Sequence, residues 1–129
     1  MLVEARRRAP HLDWHLADLA TFDLPGRARF DAVVAAGNVF PYLTPGTGDA
    51  VLVSLAAQLR PGGLVIAGFT LDPATLPFGD RAGEPVTLAG YDRWCSAAGL
   101  SLLHRWAGWD KAPFTGTSTS QVAVYRKAG

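Results

Sequence analysis

The stretch FDAVVAAGNVFPYL (Phe30 to Leu43), continued by GDAVLVSLAAQLRPGGLVIAGF (Gly48 to Phe69), constrains the fold more than any other part of this chain. Ala32 to Ala36 is apolar without alternation, the pattern of a strand buried on both faces in a parallel sheet covered by helices. Thr44, Pro45 and Thr47 supply helix-start chemistry, and Val51, Leu52, Leu55, Ala56 and Leu59 recur at helical spacing. Pro61 cannot continue that helix, which sets its end at Arg60, and Gly62 or Gly63 can take the positive φ of a turn. Leu64 to Phe69 is then a second buried strand, completing a strand-helix-strand unit. In an open sheet of such units ligands bind beyond the carboxyl ends of the strands, so Gly37 and Asn38 stand where a site is expected. The glycine-rich phosphate or cofactor loop that usually precedes such a unit is absent from the sequence.

The flanking segments extend an α/β pattern. Met1 to Ala9 reads as a short helix in which Leu2 and Ala5 share a face and Glu4 can pair with Arg8, until Pro10 stops it. Asp13 to Ala17 reads as a strand with Trp14 and Leu16 on one face, and Pro25 with Gly26 marks a turn. Asp72 to Pro85 is a loop rich in Pro, Gly and acidic residues. Thr87 can cap a helix whose apolar face includes Leu88, Tyr91, Trp94 and Cys95, with Gly99 where a left-handed residue is wanted. Leu100 to Trp106 and Gln121 to Arg126 read as strands, and with no helix between them they are expected to pair antiparallel. Residues 1–129 form a single expected domain.

Composition limits the functional classes. With 49% hydrophobic and 18% charged residues the chain has material for a core, and a net charge of +1 creates no global field toward nucleic acid or anionic lipid. The run Arg6, Arg7, Arg8 fits the solvated face of a terminal helix better than a nucleic-acid patch. The one cysteine, Cys95, allows no intrachain disulfide. Apolar runs fall short of membrane-spanning length, and a cytoplasmic protein is expected. His11 and His15 lack a third ligand and a shared helical face, so no metal site is expected. There is no GxSxG elbow, CxxC pair or P-loop.

The order of segments carries a further signal: MLVEARRRAP, WHLADL, FDAVVAAGNV, LRPGGLVIAGF, YDRWCSAAGL and a hairpin-like end. Taken together they resemble the later portion of a class I S-adenosylmethionine-dependent methyltransferase, over nearly the whole chain. The resemblance implies an incomplete Rossmann-like sheet, mostly parallel with an antiparallel terminal strand. The family's strand order is three-two-one-four-five-seven-six. It puts His15 on strand three, Val33 on four, Ile66 on five, Leu102 on six and Val124 on seven. The family's first two strands and its GxGxG loop have no counterpart here. S-adenosylmethionine is the implied cofactor and a small molecule the expected methyl acceptor.

By the same resemblance Asp18 matches the carboxylate that accepts from the adenine amino group, with Leu19 covering the ring. Asp18 equally suits the cap of the next turn. Gly37 and Asn38 match the cofactor edge after strand four; both also favour a tight turn. Phe40, Tyr42 and Trp109, with Trp106 and Phe114, can line an acceptor pocket or serve as core. No residue is assigned as a general base, because a sulfonium methyl is already activated and alignment supplies much of the catalysis. Without strands one and two, strand four becomes an edge and a template for association. A non-catalytic Rossmann-like module that associates through that edge, as a homo-oligomer, is therefore the alternative reading. An NAD-dependent oxidoreductase fragment is a third, lacking both a dinucleotide fingerprint and a Tyr-Lys pair.

Overall fold

A computed structural model describes residues 2–24, 26, 28, 30–76 and 85–129. The elements run α1 (Leu2–Arg8), β1 (Phe30–Ala35), α2 (Gly48–Ala57), β2 (Leu59–Thr70), α3 (Leu88–Ala97), β3 (Leu100–Trp106) and β4 (Ser120–Lys127). Short 3-10 turns at Phe40–Tyr42 and Pro73–Thr75 follow β1 and β2. The expectations for 77–84, Met1 and Pro25 lie outside the described residues.

The four strands form one sheet in the order β1-β2-β4-β3. β1 pairs parallel with β2, and β4 runs antiparallel to both β2 and β3. This is the four-five-seven-six succession implied by the family resemblance, with the terminal strand reversed. Both long helices pack on one face. Val51, Leu52, Leu55 and Ala56 of α2 and Tyr91 and Cys95 of α3 meet Val65, Ala67 and Phe69 of β2 and Ala123 and Tyr125 of β4 in the core. Phe40, Phe69 and Tyr91 form an aromatic group in that core, with ring centroids 4.9 to 5.5 Å apart.

Local chemistry sets the element ends. Thr87 Oγ1 accepts from Gly90 N at 3.0 Å to start α3, and Gly99 at φ +79° turns the chain into β3. Thr47 is the N-cap of α2, but its hydroxyl donates to Thr44 O at 2.6 Å instead of bonding the helix. At the other end of α2 the Lys127 ammonium donates to Ala56 O in the last turn of the helix and to Leu59 O at the start of β2, both at 2.8 Å.

Three expectations are corrected. The helix ends at Ala57 and not at Arg60, because Leu59 already pairs with Phe30 and draws the Pro61-Gly62-Gly63 bend inside β2. Beside that bend an exposed pair, Arg60 to Asp31 at 2.9 Å, adds little. The β1 strand is not buried on both faces: Val33 and Ala35 pack on the core, whereas Val34 is 61% exposed at the sheet edge with no helix over it. Asp13 to Ala17 forms no strand, since no described strand lies beside it to complete a ladder. Its Trp14 instead donates Nε1–H to Ala9 O at 2.9 Å. The α1 helix forms as expected, with Glu4 accepting from Arg8 at 2.8 Å and also from Arg7, but buries no residue. No described helix is long and apolar enough to cross a membrane.

Candidate functional site

A cavity of about 390 Å³ opens beyond the carboxyl ends of β1 and β2, against the start of β4. β1 leaves the sheet through two successive left-handed residues, Gly37 at φ +81° and Asn38 at φ +61°. Asparagine tolerates that conformation better than most side chains. Here it also makes a tie, because Asn38 Oδ1 accepts from Thr70 N at 2.7 Å and joins the ends of β1 and β2. Among the described residues the Asn38 Nδ2 group has no hydrogen-bond partner, and open space lies where a Cβ of Gly37 would stand.

Thr70 is the node beneath this tie. Its Oγ1 accepts from Asp72 N at 3.1 Å and lies within bonding distance of Asp72 O, Thr119 O and Thr75 Oγ1. Leu71 N donates to Thr119 O at 2.7 Å, which clamps the end of β2 to the entry of β4. On the opposite side Ser120 Oγ donates to Ala107 O at 2.6 Å. The loop after β3 turns back at Lys111 (φ +63°), where Lys111 N donates to Gly108 O and Ala107 N to Ala112 O. This turn carries Trp109 over Gly68, so closely that a Cβ on Gly68 would come within 2.5 Å of the indole ring.

Behind the cavity lies a polar cluster on the core face. Asp92 accepts from Arg105 and from the Tyr125 hydroxyl, and Arg105 Nε donates to Gln121 Oε1 at 2.8 Å. Gln121, fully buried, belongs to both the cluster and the cavity lining. Burial pushes the Cys95 thiol up to about 12. The Tyr91 and Tyr125 phenols move upward for the same reason, Tyr125 also through its bond to Asp92. These groups are held protonated, and Cys95 is a packing residue rather than a nucleophile. Among the described residues no group of three His, Cys, Asp or Glu side chains can hold a metal ion.

Of the residues singled out by sequence, Gly37, Asn38 and Trp109 come together in this cavity. Asp18 and Leu19 do not line it. Asp18 is exposed, its Oδ1 accepting from Ala20 N at 2.9 Å in a turn, and half-buried Leu19 packs against the core. Phe40, only 2% exposed, is core rather than pocket lining, because the 3-10 turn after β1 directs it between Phe69 and Tyr91. Tyr42, on the same turn, also lies outside the lining, as do Trp106 and Phe114. Trp106 stacks on His104 at 5.2 Å and Phe114 lies under Arg105 at 5.8 Å. Sequence reasoning missed Gly68, Thr70, Thr75, Thr119 and Ser120. Gly68 carried a signal, since glycine inside a strand often marks close approach; the hydroxyl residues meet only through the β2–β4 pairing.

No protein-family model and no curated protein sequence matches this chain. Solved structures do. The TehB-like SAM-dependent methyltransferase of Corynebacterium glutamicum is 26% identical with a TM-score of 0.78, covering 95% of this chain and 60% of that one. The CcbJ methyltransferase of Streptomyces caelestis is 22% identical, TM-score 0.77, over 99% of this chain and 71% of its own length. CalS10 of Micromonospora echinaspora, an amino pentose methyltransferase solved with SAM bound, is 21% identical, TM-score 0.74, over 99% and 70%. The chain thus has the fold of SAM-dependent methyltransferases over nearly all its residues, and spans 60% of the length of the Corynebacterium protein.

Proposed function

We propose that this chain takes part in S-adenosylmethionine-dependent methyl transfer to a small-molecule acceptor, with the cavity between β1, β2 and β4 as the acceptor side of the site. The observation that carries the reading is the position of that cavity, at the carboxyl ends of parallel strands, in a fold shared with SAM-dependent methyltransferases. That one such neighbour acts on an amino pentose supports a small acceptor. Gly37 and Asn38 suit the cofactor edge: the first leaves open space for backbone approach, and the second keeps an amide donor without a partner among the described residues. Asp18 and Leu19 would serve the adenine side.

The cofactor supplies a methyl group already activated on sulfonium. The chain's own share is alignment and exclusion of water. Because the sequence has no GxGxG run, it has no loop of that kind for the methionine portion, and the isolated chain should bind the cofactor weakly. Titration with S-adenosylhomocysteine, followed by NMR, is expected to shift the amide signals of Gly37 and Asn38 together with Asp18 and Leu19. Saturating ligand that leaves Gly37 and Asn38 unmoved would overturn the reading. A calorimetric Kd of about 1 μM or below would overturn the claim of an incomplete cofactor site.

The exposed β1 edge favours a second reading, a non-catalytic module that associates through that edge. Sedimentation showing a monomer over a wide concentration range would remove it.

A further inference from the structure

Two carboxamides on the cavity lining are tied at one end only. Asn38 Oδ1 accepts from Thr70 N at 2.7 Å, and Gln121 Oε1 accepts from Arg105 Nε at 2.8 Å. A backbone N–H and a guanidinium can only donate, so the tied end is the oxygen in both and the other end is an NH2 group. Among the described residues neither Asn38 Nδ2 nor the buried Gln121 Nε2 has a hydrogen-bond partner. A buried donor without an acceptor is a standing cost, which a ligand oxygen removes. The sheet register sets the two amides side by side: Thr70, which holds Asn38, stands opposite Ser120, and Phe69 stands opposite Gln121. Arg105 also polarises the Gln121 amide through its oxygen and strengthens its N–H as a donor.

The same wall carries an acceptor. Ser120 donates its hydroxyl proton to Ala107 O at 2.6 Å, which leaves its oxygen lone pairs to a ligand. Trp109, whose indole N–H is a further donor, forms an aromatic side over Gly68. An ammonium has no lone pair for Asn38 or Gln121, and among the described residues no Asp or Glu side chain lines the cavity to receive its charge. A carboxylate accepts from both carboxamides but has no N–H for Ser120, and the Arg105 charge behind the cavity is already offset by Asp92. An amide group meets both demands, because its carbonyl oxygen has two lone pairs for two donors and its N–H answers the Ser120 oxygen.

We propose that the cavity recognises an uncharged amide group of a small molecule. Its carbonyl oxygen accepts from Asn38 Nδ2 and Gln121 Nε2, its N–H donates to Ser120 Oγ, and its plane lies against the Trp109 indole. This rests on the methyl-transfer reading and adds to it: the amide is the handle by which an acceptor molecule is held. The amide nitrogen is not the atom methylated, since delocalisation into the carbonyl leaves it a poor nucleophile. Asn38 Nδ2 carries two hydrogens, so one serves this contact and the other remains for the cofactor edge.

The test adds three probes of one shape, benzamide, benzoate and benzylamine, to the full chain at about pH 7 and follows the NMR signals of the Asn38 and Gln121 side-chain NH2 groups and the Trp109 indole N–H. Benzamide should shift all three, and benzoate and benzylamine should act at least about tenfold more weakly. Asn38→Asp keeps an oxygen for Thr70 N and a residue type that tolerates positive φ, but replaces the free donor with lone pairs. It should weaken benzamide about tenfold and raise the affinity for protonated benzylamine, a reversal that a merely structural role would not produce. Benzoate or benzylamine matching benzamide on the unaltered chain, Asn38→Asp leaving benzamide binding unchanged, or no response to any probe each overturns the proposal. The probes bind without cofactor, whose own binding is read with S-adenosylhomocysteine, so failure of the amide site and failure of the methyl-transfer reading are told apart.

Discussion

Gly68→Ala is the sharpest probe of how the cavity wall is built. An added Cβ would stand 2.5 Å from Trp109 Cζ2, 2.7 Å from Cε2 and 2.9 Å from Nε1, all inside van der Waals contact. The three nearest atoms belong to that one ring, so relief comes from moving the indole rather than the sheet. Trp109 is 55% exposed. If its side chain covers roughly 200 Å², about 90 Å² is withheld from water, worth about 2 kcal/mol at about 25 cal/mol per Å². Replacing glycine by alanine inside a strand returns about 0.5 to 1 kcal/mol of that. The expected net cost is about 1 to 2 kcal/mol in urea unfolding, with the Trp109 indole N–H signal displaced. In a Trp109→Ala background the obstacle is gone, and Gly68→Ala should become neutral or stabilising, a coupling of about 2 kcal/mol between the two sites. An equal cost of Gly68→Ala in both backgrounds would refute the claim that Trp109 is seated by the missing Cβ.

Asn38→Ala removes the bond to Thr70 N and places alanine at φ +61°; a loss of about 2 kcal/mol is expected, with Asn38→Gly recovering roughly half, and equal losses would contradict separate roles for backbone and amide. Burial raises the Cys95 thiol from an ordinary 9.0 to about 12 and moves the Tyr91 and Tyr125 phenols upward. The unfolded chain therefore releases protons that the folded chain keeps. Stability should be full below about pH 9 and fall as pH rises toward about 12, with Cys95→Ala reducing the first part of the fall; a urea midpoint unchanged across that range would count against it. Val34→Lys on the exposed edge strand should leave stability within about 0.5 kcal/mol and lower any concentration-dependent association seen by sedimentation, whereas unchanged association would place the contact elsewhere.

Where local pattern and tertiary setting agreed, the sequence was readable. Thr87 and Gly99 bracket α3 because a capping oxygen and a left-handed glycine act within a few residues of themselves. β3 and β4 were legible as an antiparallel pair because no crossover helix lies between them. Where the outcome depended on a distant partner, the reading slipped. Leu59 and Arg60 look helical until Phe30 recruits them into a ladder. Asp13 to Ala17 alternates like a strand but has no strand beside it among the described residues. Val34 is as apolar as Val33, yet burial depends on what covers each face of β1, and only one face is covered.

The same division holds at the site. Sequence alone marked the turn at Gly37 and Asn38, since residues that accept positive φ after an apolar strand announce where the strand delivers its end. It also determined the α/β class and the order of the elements from β1 onward, both written in period and punctuation along the chain. Tertiary structure decided what faces that turn. Thr70 and Thr119 are 49 residues apart, and only the antiparallel β2–β4 register brings them within 3.2 Å. Trp109 became a wall because a strand glycine left room for its ring, while Phe40, just past the turn, went into the core. Sequence marked both residues only as aromatic, suited to pocket or core; the geometry of the sheet assigned one to the cavity wall and the other to the core.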